Sequence, residues 1–506
     1  MHTSEQAVRD RDFVRRVRRY SPSSLLPLIA STSAQYSDKQ WWKPVRRLFP
    51  SYRPYRPWAL AEVARVSLAC GSEFNRKEAT AKDLEALLNL HTGLSDPYVH
   101  NDARTDPDAL WSFMLRITSE QFLYQQPVYP NLARTAAVLT FTEPNKPLER
   151  LVDGWEQELL GCSLSEYVGI TLLLHTATQL NAGRVDLDSF ALPEHRFITD
   201  VLPAELITKV AEQHFVTDQE RFQRANERRV TNHPDMRRYE YNPLRSTPLV
   251  DGYGPGLIAP CSHLVAPKAS LLSLYYEGGE RFGNAFARDL GTLFEQYVGR
   301  QLRLITNADV HPELTYGPKK NPLKSVDWIV VFDDLVLLVE VKSTRPDQEV
   351  RLGTDKKIDR LLQNLKKGYE QIDRTADAIR SRATGLESIP ADRPVHGLIV
   401  TMESFDTANA PFQRQYQPQT DTFVTVTSAA ELEDLVVLTD GTLNELLLTR
   451  AADPERSTYS LREALTGRTV GHNPVLEEAW ASYPWSRIAT GGPGTPEGDD
   501  GAAGLG

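Results

Sequence analysis

Residues 324–342, KSVDWIVVFDDLVLLVEVK, hold two runs of β-branched and large apolar residues separated only by Asp333 and Asp334. Such runs joined by two turn-forming residues predict a tight β-hairpin, with strands at 324–332 and 335–342. A two-residue loop leaves little freedom of register, so residues that face one another have numbers summing to 667, as Phe332 and Leu335 do. Asp327 then faces Glu340 and Ser325 faces Lys342. Side chains alternate along a strand, which puts all four on one face of the pair. Two carboxylates about 5 Å apart at Cβ in an otherwise apolar hairpin repel one another and weaken it. A bound cation is the natural remedy.

Carboxylate oxygens suit hard ions such as Mg²⁺ or Mn²⁺, which keep several waters and can be shared with a substrate phosphate. Such an ion polarises a phosphate and lowers the pKa of its own water. Lys342, two residues past Glu340 on the same face, can hold an attacking water and offset charge growing on a phosphorane-like transition state. Together these parts describe phosphodiester hydrolysis.

The flanking segments read as helices. In FGNAFARDLGTLFEQYVGRQLRLI (282–305), Phe286, Leu290, Leu293, Phe294, Tyr297, Val298 and Leu302 form one apolar face. Glu295 lies at its edge, with Gly291 and Gly299 one turn before and after. Two helical glycines cost roughly 1 kcal/mol each relative to alanine, so the pattern predicts a close approach of another element near Glu295. In DKKIDRLLQNLKKGYEQIDRTADAIRS (355–381), Ile358, Leu361, Leu362, Leu365, Tyr369, Ile372 and Ile379 make an apolar stripe. Another side carries Lys356, Arg360, Gln363, Lys367, Gln371 and Arg374, a mainly cationic line that could track a phosphate backbone or be an ordinary solvated face. RPVHGLIVTM (393–402) supplies a further strand, in which His396 is expected to be packed rather than reactive.

This order resembles the PD-(D/E)XK nucleases, the restriction-endonuclease-like superfamily, over residues 282–405. The resemblance implies an α/β domain with a central mixed sheet, in which Asp327 and Glu340 are metal ligands, Glu295 is a helix-borne auxiliary ligand and Lys342 is the catalytic lysine. It also implies a glutamine near the scissile phosphate, for which Gln371 is the candidate and Gln363 the second. The motif's proline is absent, because Val326 precedes Asp327, and the QxxxY spacing of RecB-like members is missing too. His311 and Glu313 are expected in a loop entering the first strand, and Arg345 is expected at the surface; none belongs to the core site.

The chain has 506 residues and a formal net charge of -10, with 41% hydrophobic residues. Roughly 100–200 residues per domain allow several hydrophobic cores. The expected organisation is a mainly helical domain (1–235), a strand-bearing connector (236–280), the nuclease-like domain (281–425), an α/β extension (426–488) and a disordered tail (489–506). The connector texture runs through YEYNPLRSTPLV, LIAPCSHLVAP and ASLLSLYYEGG. The first 60 residues are rich in Arg, with Trp41, Trp42, Phe49, Tyr52, Tyr55 and Trp58 interleaved. That texture suits nucleic acid, but core aromatics among solvated arginines is the reading preferred. His91, His175 and His214 lack ligand-spaced partners and are expected to be structural or at the surface.

Three distant cysteines, Cys70, Cys162 and Cys261, form neither a disulfide framework nor a zinc knuckle. No run reaches a membrane span or a signal peptide, so a cytoplasmic protein is expected. The functional expectation is a divalent-metal-dependent nuclease, DNA being favoured over RNA as substrate. A restriction or phage-defence role enters by analogy alone. The helical half is assigned to substrate choice, a protein partner or a second copy. The competing expectation is an inactive nucleic-acid-binding or scaffold protein with a nuclease-like fold.

Overall fold

A computed structural model of the chain describes residues 8–35, 56–74, 76–96, 107–121, 124, 127–227, 234–343, 358–405, 408–410, 413 and 416–486. The expected tail, Arg345 and Lys356 lie outside these residues, as do Trp41, Trp42, Phe49, Tyr52 and Tyr55.

The amino-terminal part is helical. Helix α1 (Pro57–Cys70) opens on a proline, whose fixed φ and missing N–H suit the first helical position. It is buried all round, with Trp58 in the same core as Phe13, Leu25 and Leu87. That places Trp58 among core aromatics, while Arg11 and Arg15 are solvated. Helices α2 (Val128–Leu139) and α3 (Leu164–Leu180) belong to a second, larger core. The stretch Trp155–Leu180 is long and apolar enough to cross a membrane, but 61% of its most apolar window is buried inside the protein. It is also interrupted at Gly161, where φ is +73°. His91 faces Glu120 at 3.6 Å, while His175 and His214 hydrogen-bond the carbonyls of Ser262 and Leu160, so all three are structural.

A small sheet joins β1 (Arg184–Val185), β2 (Val216–Thr217), β3 (Leu249–Val250) and β4 (Leu257–Ile258) in the order β1-β4-β3-β2. The connector thus supplies two of the strands. Its last piece, ASLLSLYYEGG, is not extended: it becomes helix α4 (Leu271–Phe282), because Ser270 caps the N–H of Ser273 and Leu271, Leu274 and Gly278 turn inward together.

The carboxy-terminal part is a helix-covered mixed sheet. After α5 (Asn284–Leu302) come β5 (Asp309–Pro312), a two-stranded ribbon of β6 (Thr315–Tyr316) and β7 (Leu323–Lys324), and then β8 (Trp328–Val331) and β9 (Val336–Lys342). Helix α6 (Ile358–Arg380) leads to β10 (Val395–Thr401) and β11 (Phe423–Ser428), which precedes α7 (Ala429–Leu435). The sheet order is β11-β10-β9-β8-β5, antiparallel from β5 to β9 and parallel from β9 to β11.

The hairpin register is the expected one: Trp328 pairs with Val339, Ile329 with Leu338, Val330 with Leu337 and Val331 with Val336. Its first strand is shorter than expected. Side chains replace the ladder below Trp328, since Ser325 Oγ accepts the N–H of Leu314 and Asp327 Oδ2 accepts that of Val341. Leu323 and Lys324 pair instead with Tyr316 and Thr315, so Ser325 has no ladder position opposite Lys342. His311 likewise sits within β5, paired with Ile329, rather than in an entering loop. His396 lies in β10, edge-on to Phe423 at 5.5 Å between ring centroids.

The two faces of the sheet are separate cores. Trp328, Val330, Leu337, Val339, Leu398 and Val400 pack in the core that holds the apolar face of α5. Ile329, Val336, Leu338 and Ile399 pack with Leu365, Tyr369, Ile372 and Ile379 of α6. Both glycines of α5 mark close approaches: a Cβ on Gly299 would stand 2.1 Å from Trp328 Cζ2, and one on Gly291 would stand 2.9 Å from Ser343 Oγ. Gly299→Ala is therefore expected to destabilise the protein by about 1–3 kcal/mol, because a rigid indole must move. Denaturant titration followed through tryptophan fluorescence measures this, and an unchanged midpoint would contradict the packing.

Candidate active site

Strand alternation sends Glu340 and Lys342 to the face of the sheet that α6 covers, with Val336 and Leu338. Asp327 extends the same face one residue before β8. Glu340 is 2% exposed, whereas Asp327 and Lys342 are half-buried. Lys342 Nζ donates to Glu340 Oε1 at 2.5 Å and to Gln371 Oε1 at 3.2 Å, so one ammonium ties the strand to the helix. Gly368 on α6 permits this: a Cβ there would meet Ile399 at 3.0 Å and Lys342 Cε at 3.4 Å.

The structure thus brings together Asp327, Glu340, Lys342 and Gln371. Glu295 arrives from the other helix, near the end of the sheet, where Trp328 Nε1 donates to its carbonyl at 3.0 Å. Its carboxylate accepts from Asn145 Nδ2 at 3.3 Å and from Gln296 Nε2 at 3.0 Å. Among the described residues, no three carboxylate, histidine or cysteine side chains form a ready-made metal cluster. Glu313 is ion-paired with Lys324 at 2.7 Å. Of the cationic line, Lys367 and Arg374 are exposed on α6, Gln363 is exposed beside them, Arg360 is placed by its backbone alone, and Lys356 lies outside the described residues.

The electrostatics are those of carboxylates crowded into a poorly hydrated place. Withdrawal from water raises the pKa of Asp327, Glu340 adds to the rise, and the Val341 N–H and Lys342 oppose it. Glu340 is raised for the same first reason and held down mainly by Lys342. Burial also raises Glu295, against the pull of Lys146 and with a push from Glu313. For each carboxylate the loss of hydration outweighs the pull of the nearby cations, Lys342 on Asp327 and Glu340 and Lys146 on Glu295.

Glu340 Oε2 is buried and has no hydrogen-bond partner among the described residues. An orphaned, solvent-excluded carboxylate oxygen beside a second carboxylate is what a hard divalent ion would satisfy. The residues present fit such an ion, with Asp327 and Glu340 as the pair and Glu295 beside them.

The sequence reading missed Asn145 altogether. It lies in FTEPNKPLER, where its proline spacing marks a loop but nothing marks where that loop docks. No protein-family model matches the chain, and no curated protein matches it.

The raised pKa of Asp327 carries a stability consequence with a definite sign. Between its ordinary value of 3.8 and the folded-state value of about 8, the folded chain binds more protons than the unfolded one. The contribution is complete below the lower value and is lost as the pH rises through the upper one. Asp327→Asn keeps an acceptor for the Val341 N–H and removes the charge, so it is expected to stabilise the metal-free protein at pH 8 by on the order of 1–2 kcal/mol. Denaturant titrations in EDTA at pH 5 and pH 8 check this; a gain that fails to shrink at pH 5 would contradict it.

Proposed function

We propose that this chain is a divalent-metal-dependent nuclease that hydrolyses phosphodiester bonds, with DNA as the favoured substrate. The observation that carries the reading is the buried Glu340 carboxylate, which has one oxygen without a partner among the described residues and the other held by Lys342, on the sheet face that Asp327 shares. The element order supports it too: a glutamate-bearing helix, three antiparallel strands, a helix and a parallel strand run in the sequence that the PD-(D/E)XK resemblance implies.

In this reading Asp327 and Glu340 would hold Mg²⁺ or Mn²⁺, with Glu295 as an auxiliary ligand, and the ion would supply polarisation of the phosphate and a more acidic water. The remaining work falls to the chain. Lys342 orients the attacking water and offsets the charge that develops on the phosphoryl oxygens. Gln371 positions the Lys342 amine through the bond it accepts, and in this reading its amide N–H groups donate to the substrate backbone. Lys367 and Arg374, exposed on the same helix, contribute phosphate contacts. A restriction or phage-defence role in the cytoplasm is the biological setting that the resemblance suggests.

Wild type, Asp327→Asn and Lys342→Ala are to be incubated with circular and linear DNA and with RNA, in Mg²⁺, Mn²⁺ or EDTA. Cleavage is expected from the wild type with metal alone. Either substitution should lower it by about 10²-fold or more, and Mg²⁺ should raise the melting temperature of wild type but not of Asp327→Asn. Cleavage in EDTA, or full activity in Lys342→Ala, would refute the mechanism; binding without cleavage by the wild type would favour an inactive nucleic-acid-binding protein.

A further inference from the structure

The segment that touches Glu295 comes from the helical half, and it is fastened along α5 at both ends. On one side Asp289 Oδ2 accepts the backbone N–H groups of Glu149 at 2.9 Å, of Leu151 at 3.0 Å and of Arg150 between them. Arg288 adds an ion pair to Glu149 at 2.7 Å. On the other side Arg300 Nη1 donates to the carbonyls of Phe141 at 2.8 Å and Ala137 at 3.1 Å. Asp289 and Arg300 lie about 16 Å apart along the helix, which fixes the span the loop must cross. Pro144 and Pro147 restrict the backbone between these anchors.

Residues 143–147 are exposed at the top of this span, and Asn145 Nδ2 reaches Glu295 Oε1. Lys146 is the next residue. It is the cation that acts most strongly on Glu295, and it forms no ion pair with a carboxylate among the described residues. Of the four carboxylates around this spot, Glu340 is paired with Lys342 and Glu313 with Lys324, while Asp327 and Glu295 have no ion pair among the described residues; on a chain of net charge -10 a further fixed cation at the rim favours the approach of a polyanion.

Building on the nuclease reading above, we propose that Lys146 is a substrate-gripping residue: the 141–151 loop of the helical half presents it to a backbone phosphate beside the scissile one, so that the helical half completes the nucleic-acid site. It binds as a point charge and takes no part in bond breaking. The loop's anchors on α5 hold it in place before substrate arrives.

The test compares wild type with Lys146→Ala, Lys146→Glu and Lys146→Arg as full-length chains. Affinity for fluorescent DNA duplex, single strand and RNA is read in EDTA across a salt series, and kcat and KM are read in Mg²⁺. Lys146→Ala is expected to weaken binding about threefold to tenfold at low salt, to reduce the slope of log K against log salt by about one, and to raise KM with kcat little changed. Lys146→Glu should weaken binding further, and Lys146→Arg should restore it; thermal unfolding should not move, since the residue is exposed. If the wild type binds and cleaves while Lys146→Ala and Lys146→Glu match its affinity and salt slope, the inference is overturned and the nuclease reading stands. If the wild type neither binds nor cleaves any of the three substrates, both fall together.

Discussion

The candidate site depends on one constraint, the register of a hairpin whose turn is two residues long. Phe332 donates its N–H to the Leu335 carbonyl at 2.8 Å, and every ladder pair from Val331–Val336 to Trp328–Val339 follows from that closure. A slip of one residue would carry Glu340 and Lys342 to the opposite face, into the core that holds Trp328 and the apolar stripe of α5. The apolar residues of both strands oppose such a slip, because each is already matched to its own helix. Hydrophobic burial thereby holds two like charges close together, an arrangement their repulsion would otherwise undo.

Helix α5 is the second structural axis. Its apolar stripe seals one face of the sheet, its glycines admit Trp328 and Ser343, and its polar edge carries Glu295. The same helix fastens the helical half. Besides the Asp289 and Arg300 anchors, Tyr297 donates to Glu433 at 2.6 Å, and Glu433 also binds Arg134 of α2. Asn473, beside the Pro474–Ala481 helix, donates to Gln301 at 2.7 Å. These buried polar groups satisfy one another, and losing any one would strand its partners away from water. The large core accordingly runs from Leu132 to Trp485 without a break between the helical and sheet-bearing parts.

Much of this was legible from the chain alone. The hairpin register, the apolar stripes of α5 and, from Leu365 onward, of α6, and the requirement for a close approach at Gly291 and Gly299 all follow from local periodicity and turn length, which act over a few residues; the side chains of Ile358, Leu361 and Leu362 lie outside the described residues. The juxtaposition of Asp327 and Glu340 on one face was legible for the same reason, as was the place of Lys342 two residues further along. The strand expected at 324–332 came out short because Ser325 and Asp327 use their side chains as backbone partners, a competition that strand propensity does not record. ASLLSLYYEGG failed as a strand because a serine cap and inward-facing leucines outweighed its β-prone residues.

The amino-acid order by itself determined which residues alternate, where turns close and which faces are apolar, since those depend on neighbours in the chain. Only the tertiary structure decided that Gln371 meets Lys342 across 29 positions and that Asn145 meets Glu295 across 150. It also decided that one oxygen of Glu340 is buried without a hydrogen-bond partner among the described residues. Hydrogen bonds over such separations depend on how whole elements dock, and docking is set by the summed burial of many side chains rather than by any short pattern.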